Sequence, residues 1–169
     1  MSALPIRPLR HQDLDSINAV ITEAVMAWPL PERMKRLSLP LLRYDDVDLD
    51  HFEGIGAWAS WGLAEDVALC GAALWDNEVL HGLYVRPQVQ GCGIGRALLD
   101  AVRIRARRAG VQRLQIKAER VSASYFRQQG LAAAGAESPY PYTFYLSTVA
   151  PVPDQASRLS LPDSALSLL

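Results

Sequence analysis

Val85-Arg86-Pro87-Gln88-Val89-Gln90-Gly91-Cys92-Gly93-Ile94-Gly95-Arg96-Ala97-Leu98-Leu99 is the stretch that decides the fold. An apolar strand ends at a proline, and three glycines at alternate positions run straight into an amphipathic helix. With no Cβ in the way, consecutive backbone N–H groups turn toward one point. The helix that follows brings the positive end of its dipole to the same point. Such a turn is an anion cradle of the kind that holds a pyrophosphate; a turn without a ligand needs one or two glycines, not a regular alternation.

Two common phosphate loops fail here. The dinucleotide fingerprint G-x-G-x-x-G requires glycine at position 96, where Arg96 stands. The P-loop requires a Gly-Lys pair, which the chain lacks.

Outward from the loop, hydrophobic periodicity sets the remaining elements. Ile6–Leu9 reads as a first strand. Leu14, Ile17, Val20, Ile21, Ala24 and Val25 recur at helical spacing, and Trp28-Pro29-Leu30-Pro31 ends that helix. A second helix spans about Glu32–Leu42, with Pro40 cutting its end. Residues 43–54 are acidic and read as irregular. Ala57–Ala64 and Val67–Trp75 form an antiparallel hairpin hinged at Glu65-Asp66, followed by a strand at Val79–Val85. The loop helix runs from about Gly93 to Ala109, with Gly110 as its cap. Val111–Ala118 alternates as a half-buried strand does, and a short helix (about Val121–Gln129) ends at Gly130. Weak strand signal near Leu131–Ala134 precedes a last strand at Tyr142–Val149. The order β-α-α-β-β-β-α-β-α-β-β describes an α+β (mixed α/β) fold: a mixed, mostly antiparallel seven-stranded sheet flanked by about four helices. Residues 1–149 make one domain, and the Pro- and Ser-containing tail 150–169 is expected to be loosely attached or disordered.

With 169 residues, half of them hydrophobic, the chain has enough apolar surface for a packed core. No apolar run approaches the roughly 20 residues of a membrane span, and the N-terminus lacks a secretory pattern. Cys70 and Cys92 suggest neither a disulfide framework nor a metal site, so a reducing cytoplasm is the expected compartment. No nucleic-acid, membrane or metal partner is expected.

The net charge of −1 conceals an asymmetry. From Tyr44 to Glu78 there are nine acidic residues and no Lys or Arg; from Val79 to Arg127 there are ten basic residues against Asp100 and Glu119. The basic half carries the glycine loop and suits a polyanionic ligand. The acidic half suits a cationic one, although solvated surface accounts for most of these residues taken singly.

Gln90-Gly91-Cys92-Gly93-Ile94-Gly95 fits Q-x-x-G-x-G and follows Leu83-Tyr84-Val85-Arg86-Pro87. This resembles the acetyl-CoA-binding motif of the GNAT family of N-acetyltransferases. The resemblance implies that the fourth and fifth strands splay apart and that acetyl-CoA, a cosubstrate, lies between them. It places Leu83, Tyr84 and Val85 on pantetheine and the acetyl carbonyl, through peptide N–H groups freed by a bulge there. It places the loop Gln90, Gly91, Cys92, Gly93, Ile94, Gly95 and Arg96 on the pyrophosphate. Arg96 adds a charge contact or is a solvated arginine, and Cys92 is a small loop residue rather than a nucleophile.

A second family motif, A-x-x-[FY]-Y-x-x-x-G-F, is similar to Ser122-Ala123-Ser124-Tyr125-Phe126-Arg127-Gln128-Gln129-Gly130-Leu131. It implies that Ser124 and Phe126 lie on the cofactor side. Phe126 stands where the family places a tyrosine that protonates the leaving thiolate, so that role does not carry over. Tyr125, one residue away and turned by about 100° on a helix, is expected to face the core.

An alkylammonium acceptor needs a base, and His81, two residues before Leu83, is the candidate; Asp76 and Glu78 are alternatives acting through water. A structural hydrogen bond accounts for His81 equally well. The expected activity is transfer of an acetyl group to a primary amine of a small molecule or peptide by direct attack. The alternative is an acyl-CoA-binding sensor or partner-binding module with weak or no catalysis. A homodimer is consistent with the resemblance.

Overall fold

The computed structural model describes residues 5–60, 66–134 and 142–149. The Glu65 side of the expected hairpin hinge, Trp61, Tyr140 and the tail 150–169 lie outside the described residues, and with them the division into domain and tail.

Seven strands form one sheet: β1 (Ile6–Pro8), β2 (Glu53–Ser60), β3 (Val67–Trp75), β4 (Val79–Val85), β5 (Arg113–Ala118), β6 (Ala132–Ala133) and β7 (Tyr142–Ser147). Their spatial order is β1-β2-β3-β4-β5-β7-β6. Every neighbouring pair is antiparallel except β4 and β5, which are parallel. Among the described residues five α-helices accompany them: α1 (Leu14–Met26), α2 (Glu32–Leu42), α3 (Asp46–His51), α4 (Ile94–Arg108) and α5 (Arg120–Gln128).

Two apolar layers sandwich the sheet. One contains Leu98, Leu99, Val102 and Ala106 of α4, packed with Leu114, Ile116, Phe126 and Phe144. The other packs Ile17, Val20, Ile21 and Val25 of α1 against Leu69, Ala72 and Leu74. β3 feeds both layers, so it reads as a nearly continuous apolar run instead of an alternating one.

Two expectations are corrected. Residues 43–54 are not wholly irregular: α3 is a fifth helix, started by a reciprocal cap. Asp48 N donates to Asp45 Oδ1 and Asp45 N to Asp48 Oδ2, both at 2.9 Å. Across the first turns, His11 Nδ1 and Nε2 reach Asp46 and Asp50 of α3, each at 3.0 Å. α2 keeps its expected span, Glu32–Leu42, with Pro40 in its last turn, where a proline removes one N–H while Arg43 N still donates to Leu39 O at 3.2 Å. Finally, the bulge in β4 falls at His81 and not at Leu83–Val85. Leu74 pairs with Gly82 and Trp75 with Leu80, which leaves His81 as the extra residue.

Candidate active site

The parallel ladder between β4 and β5 consists of Val79↔Gln115 and Leu80↔Ile116. Beyond Leu80, β4 keeps its antiparallel partner β3 but has no ladder partner on the β5 side among the described residues. Arg86 N donates to Cys70 O of β3 at 2.8 Å. Peptide groups alternate sides along a strand, so those of Leu83 and Val85 face the opening and those of Tyr84 face β3. The expected N–H donors are therefore Leu83 and Val85, with the Tyr84 peptide committed to the sheet.

The glycine loop stands at the wide end of this opening. Gly91 and Gly93 have φ of 77° and 84°, and a Cβ on either would meet nothing within 4 Å. Left-handed backbone and open space together expose a run of amides. Gly93 is the N-cap of α4, and no side chain caps that helix, so its first N–H groups remain available to an anion. This arrangement fits a diphosphate.

The sequence-designated loop residues divide by task. Gln90 donates through Nε2 to Val85 O at 3.0 Å, bracing the loop against the strand. Ile94 is buried in the core, which leaves its backbone for the loop. Cys92 is exposed. Arg96 faces a cleft of about 160 Å³ shared with Asp100, Arg103, Gln128 and Gln129. Arg86, just ahead of the loop, is buried; Nε donates to Leu69 O at 2.7 Å and the guanidinium pairs with Glu23 of α1.

On α5, Ser124 is exposed, whereas Phe126 is 5% exposed and packs on Phe144 with ring centroids 5.7 Å apart. Tyr125 lies partly buried against the same core, with its hydroxyl reaching the first turn of α4 at Gly95.

His81 projects toward the α1–α3 side. Its ring stacks on Phe52 (centroids 4.3 Å, interplanar 24°), and Nε2 lies 2.7 Å from Asp76 Oδ2. The other Asp76 oxygen accepts the N–H groups of Glu78 and Val79, both at 2.7 Å. Burial raises the Asp76 carboxyl, but these three bonds outweigh it and hold the group below the usual carboxylate range. A carboxylate only accepts, so Nε2 carries the proton and Nδ1 is left as the basic nitrogen. Nδ1 has no partner among the described residues.

Three nearby residues carry no signal in the sequence. Tyr44, Phe52 and Glu119 converge on Tyr84 and His81, from an acidic stretch and from the turn after β5.

The acetyltransferase (GNAT) domain model matches residues 55–139, half of the chain. The chain belongs to the GNAT family of acetyltransferases. Solved GNAT structures share its fold. A GCN5-related N-acetyltransferase from Rhodopseudomonas palustris has a TM-score of 0.71 at 20% identity, covering 87% of this chain and 97% of its own. The PaiA N-acetyltransferase of Thermoplasma acidophilum, in complex with coenzyme A, has a TM-score of 0.70 at 17% identity and covers 86% and 99%. YncA of Salmonella typhimurium, with its cofactor acetyl-CoA, has a TM-score of 0.58 at 20% identity and covers 88% and 96%. No curated protein sequence matches this GNAT chain.

Proposed function

We propose that this GNAT protein moves an acetyl group from acetyl-CoA to a primary amine of a small molecule or peptide by direct attack. The observation that carries the reading is the juxtaposition of two features: β4 parts from β5 after Leu80, and the positive-φ glycine loop opens at the end of the same strand. Coenzyme A and acetyl-CoA in the fold neighbours from Thermoplasma acidophilum and Salmonella typhimurium support the donor.

Acetyl-CoA supplies an activated acyl group as a thioester. The amides of Gly91 to Arg96 and the α4 N-terminus hold its diphosphate, and exposed Ser124 borders it from α5 while Phe126 stays in the core. The Leu83 and Val85 N–H groups hydrogen-bond the acetyl oxygen as negative charge grows there. His81 Nδ1 takes a proton from the acceptor ammonium, while Asp76 fixes the tautomer and steadies the imidazolium. The freed nitrogen lone pair forms the N–C bond as the C–S bond breaks. Sulfur leaves as a thiolate, and the nitrogen gives up a second proton, so the net products are amide, coenzyme A thiol and one proton. With Phe126 in the core, the thiolate is protonated from water. Holding both substrates in the opening supplies much of the acceleration.

The test is release of free thiol from acetyl-CoA with a panel of primary amines. His81→Ala should lower kcat by about 10²-fold or more with coenzyme A affinity unchanged, a loss typical of a missing general base. Acetyl-CoA binding without thiol release for any amine favours the sensor reading, which Phe126 in the core supports; a pH profile unaltered by His81→Ala removes His81 from the role.

A further inference from the structure

Tyr84 faces the α1–α3 side of β4, and two more aromatic residues, Tyr44 and Phe52, pack against the same core layer. Tyr44 is the better fixed of the two. Buried Asn18 of α1 donates through Nδ2 to Tyr44 O at 2.9 Å, and Tyr44 N donates to Asn18 Oδ1 at 3.0 Å. A buried amide that commits both its groups to the backbone N–H and C=O of one residue 26 positions away determines where that residue's ring lies.

The ring ends over Gly82. A Cβ at Gly82 would stand 2.5 Å from the Tyr44 hydroxyl and 2.8 Å from Tyr84 Cε2, so glycine is what admits both. Phe52 closes the third side, edge-on to Tyr44 (6.2 Å, 85°) and stacked on His81. The Tyr44 hydroxyl has no hydrogen-bond partner among the described residues.

The charge around these rings is negative. Asp76 holds His81, and the segment from Tyr44 to Glu78 contains no Lys or Arg. Burial, then Tyr84 and Asp48, push the Tyr44 phenol far above its ordinary value. Burial and Glu119 push Tyr84 up to about 12. Both phenols are therefore neutral at physiological pH, with oxygens able to accept N–H bonds.

We propose that Tyr44 is a specificity-determining residue of the acceptor side, one that with Phe52 and Tyr84 receives an amine carrying a further positive charge, an assignment that rests on the acetyl-transfer reading of the same opening. Aromatic faces attract a cation, the phenol oxygen accepts its N–H, and the carboxylates favour it at longer range. An acceptor bearing a carboxylate meets like charge instead.

Three amines of equal chain length isolate the distal charge: diaminobutane, butylamine and γ-aminobutyrate. Diaminobutane should exceed γ-aminobutyrate at least tenfold in kcat/KM, with butylamine between them. Tyr44→Phe keeps the ring and removes only the hydroxyl. It should raise KM for diaminobutane about tenfold, while coenzyme A affinity and melting temperature stay as in the parent. A purely structural role would move the melting temperature and leave the order of the amines alone. Thiol release without preference for diaminobutane, or an unchanged KM in Tyr44→Phe, overturns the assignment and leaves acetyl transfer standing. No thiol release with any of the three overturns both.

Discussion

Gly95 and Tyr125 form a pair whose coupling can be worked out from the structure. Gly95 is the second residue of α4, and a Cβ placed on it would lie 2.5 Å from the Tyr125 hydroxyl. Alanine in place of glycine favours a helix by up to about 1 kcal/mol. The collision works against this, because the Tyr125 ring is seated edge-on to Phe126 at 5.3 Å and cannot swing away freely. Overpacking of this kind costs about 1–3 kcal/mol. Gly95→Ala should therefore destabilise the chain by about 1 kcal/mol net, a fall of about 2–4 °C for a domain of this size. The hydroxyl is buried and has no partner among the described residues, so Tyr125→Phe alone should be neutral or stabilising. In the double variant the nearest atom becomes Tyr125 Cζ's counterpart, 3.2 Å away in the parent geometry, which a shift of a few tenths of an ångström relieves. Gly95→Ala should then be neutral to mildly stabilising. A double-mutant cycle by urea denaturation should return a coupling of about 1–2 kcal/mol. Coupling below about 0.5 kcal/mol refutes the reasoning, as does a clear loss of stability in Tyr125→Phe alone.

Two further predictions follow from charge. Asp13 accepts both guanidinium nitrogens of Arg7 and the Arg10 N–H, all at 2.9 Å, and the Arg7 bond leads the causes that lower its carboxyl. A depressed carboxyl stabilises the fold above its unfolded value and loses that contribution as pH falls; Asp13→Asn should cost about 1–2 kcal/mol at pH 7, with the difference closing below about pH 4 in pH-dependent melts. His11 is raised, chiefly by its bond to Asp46, so its contribution is full below about pH 6.5 and disappears as pH rises through the folded value. His11→Gln should accordingly melt below the parent at pH 6 and together with it at pH 9, and an NMR titration of His11 should give a midpoint above that of a free histidine.

Elements built from local pattern were legible in the chain. β4 matches its expected span, Val79–Val85, and α4 begins one residue after the expected start because Gly93 became the cap. The alternation Leu114, Ile116, Ala118 gave β5 directly, as these three are the buried residues of the strand. What the sequence concealed is what depends on distant partners. α3 is six residues long, too short for a hydrophobic period, and is held by its own caps and by His11 from 35 residues away. The His81 bulge is a matter of register between two strands, and nothing in Val79–Val85 marks it. Tyr44 and Phe52 look like isolated aromatics in an acidic stretch until Asn18 and His81 are brought beside them. Glu119 reads as one of two acids in a basic segment, and only the fold sets it facing Tyr84.

The short β4–β5 ladder has a mechanical consequence. Four strands on one side and three on the other make two half-sheets, stitched by two residue pairs and bridged above by the α4 crossover. A seam of that length resists shear poorly by itself. A molecule lying along it acts as mortar, adding bonds to both halves in the folded chain and none to the unfolded one, so occupancy of the seam and rigidity of the whole sheet rise together.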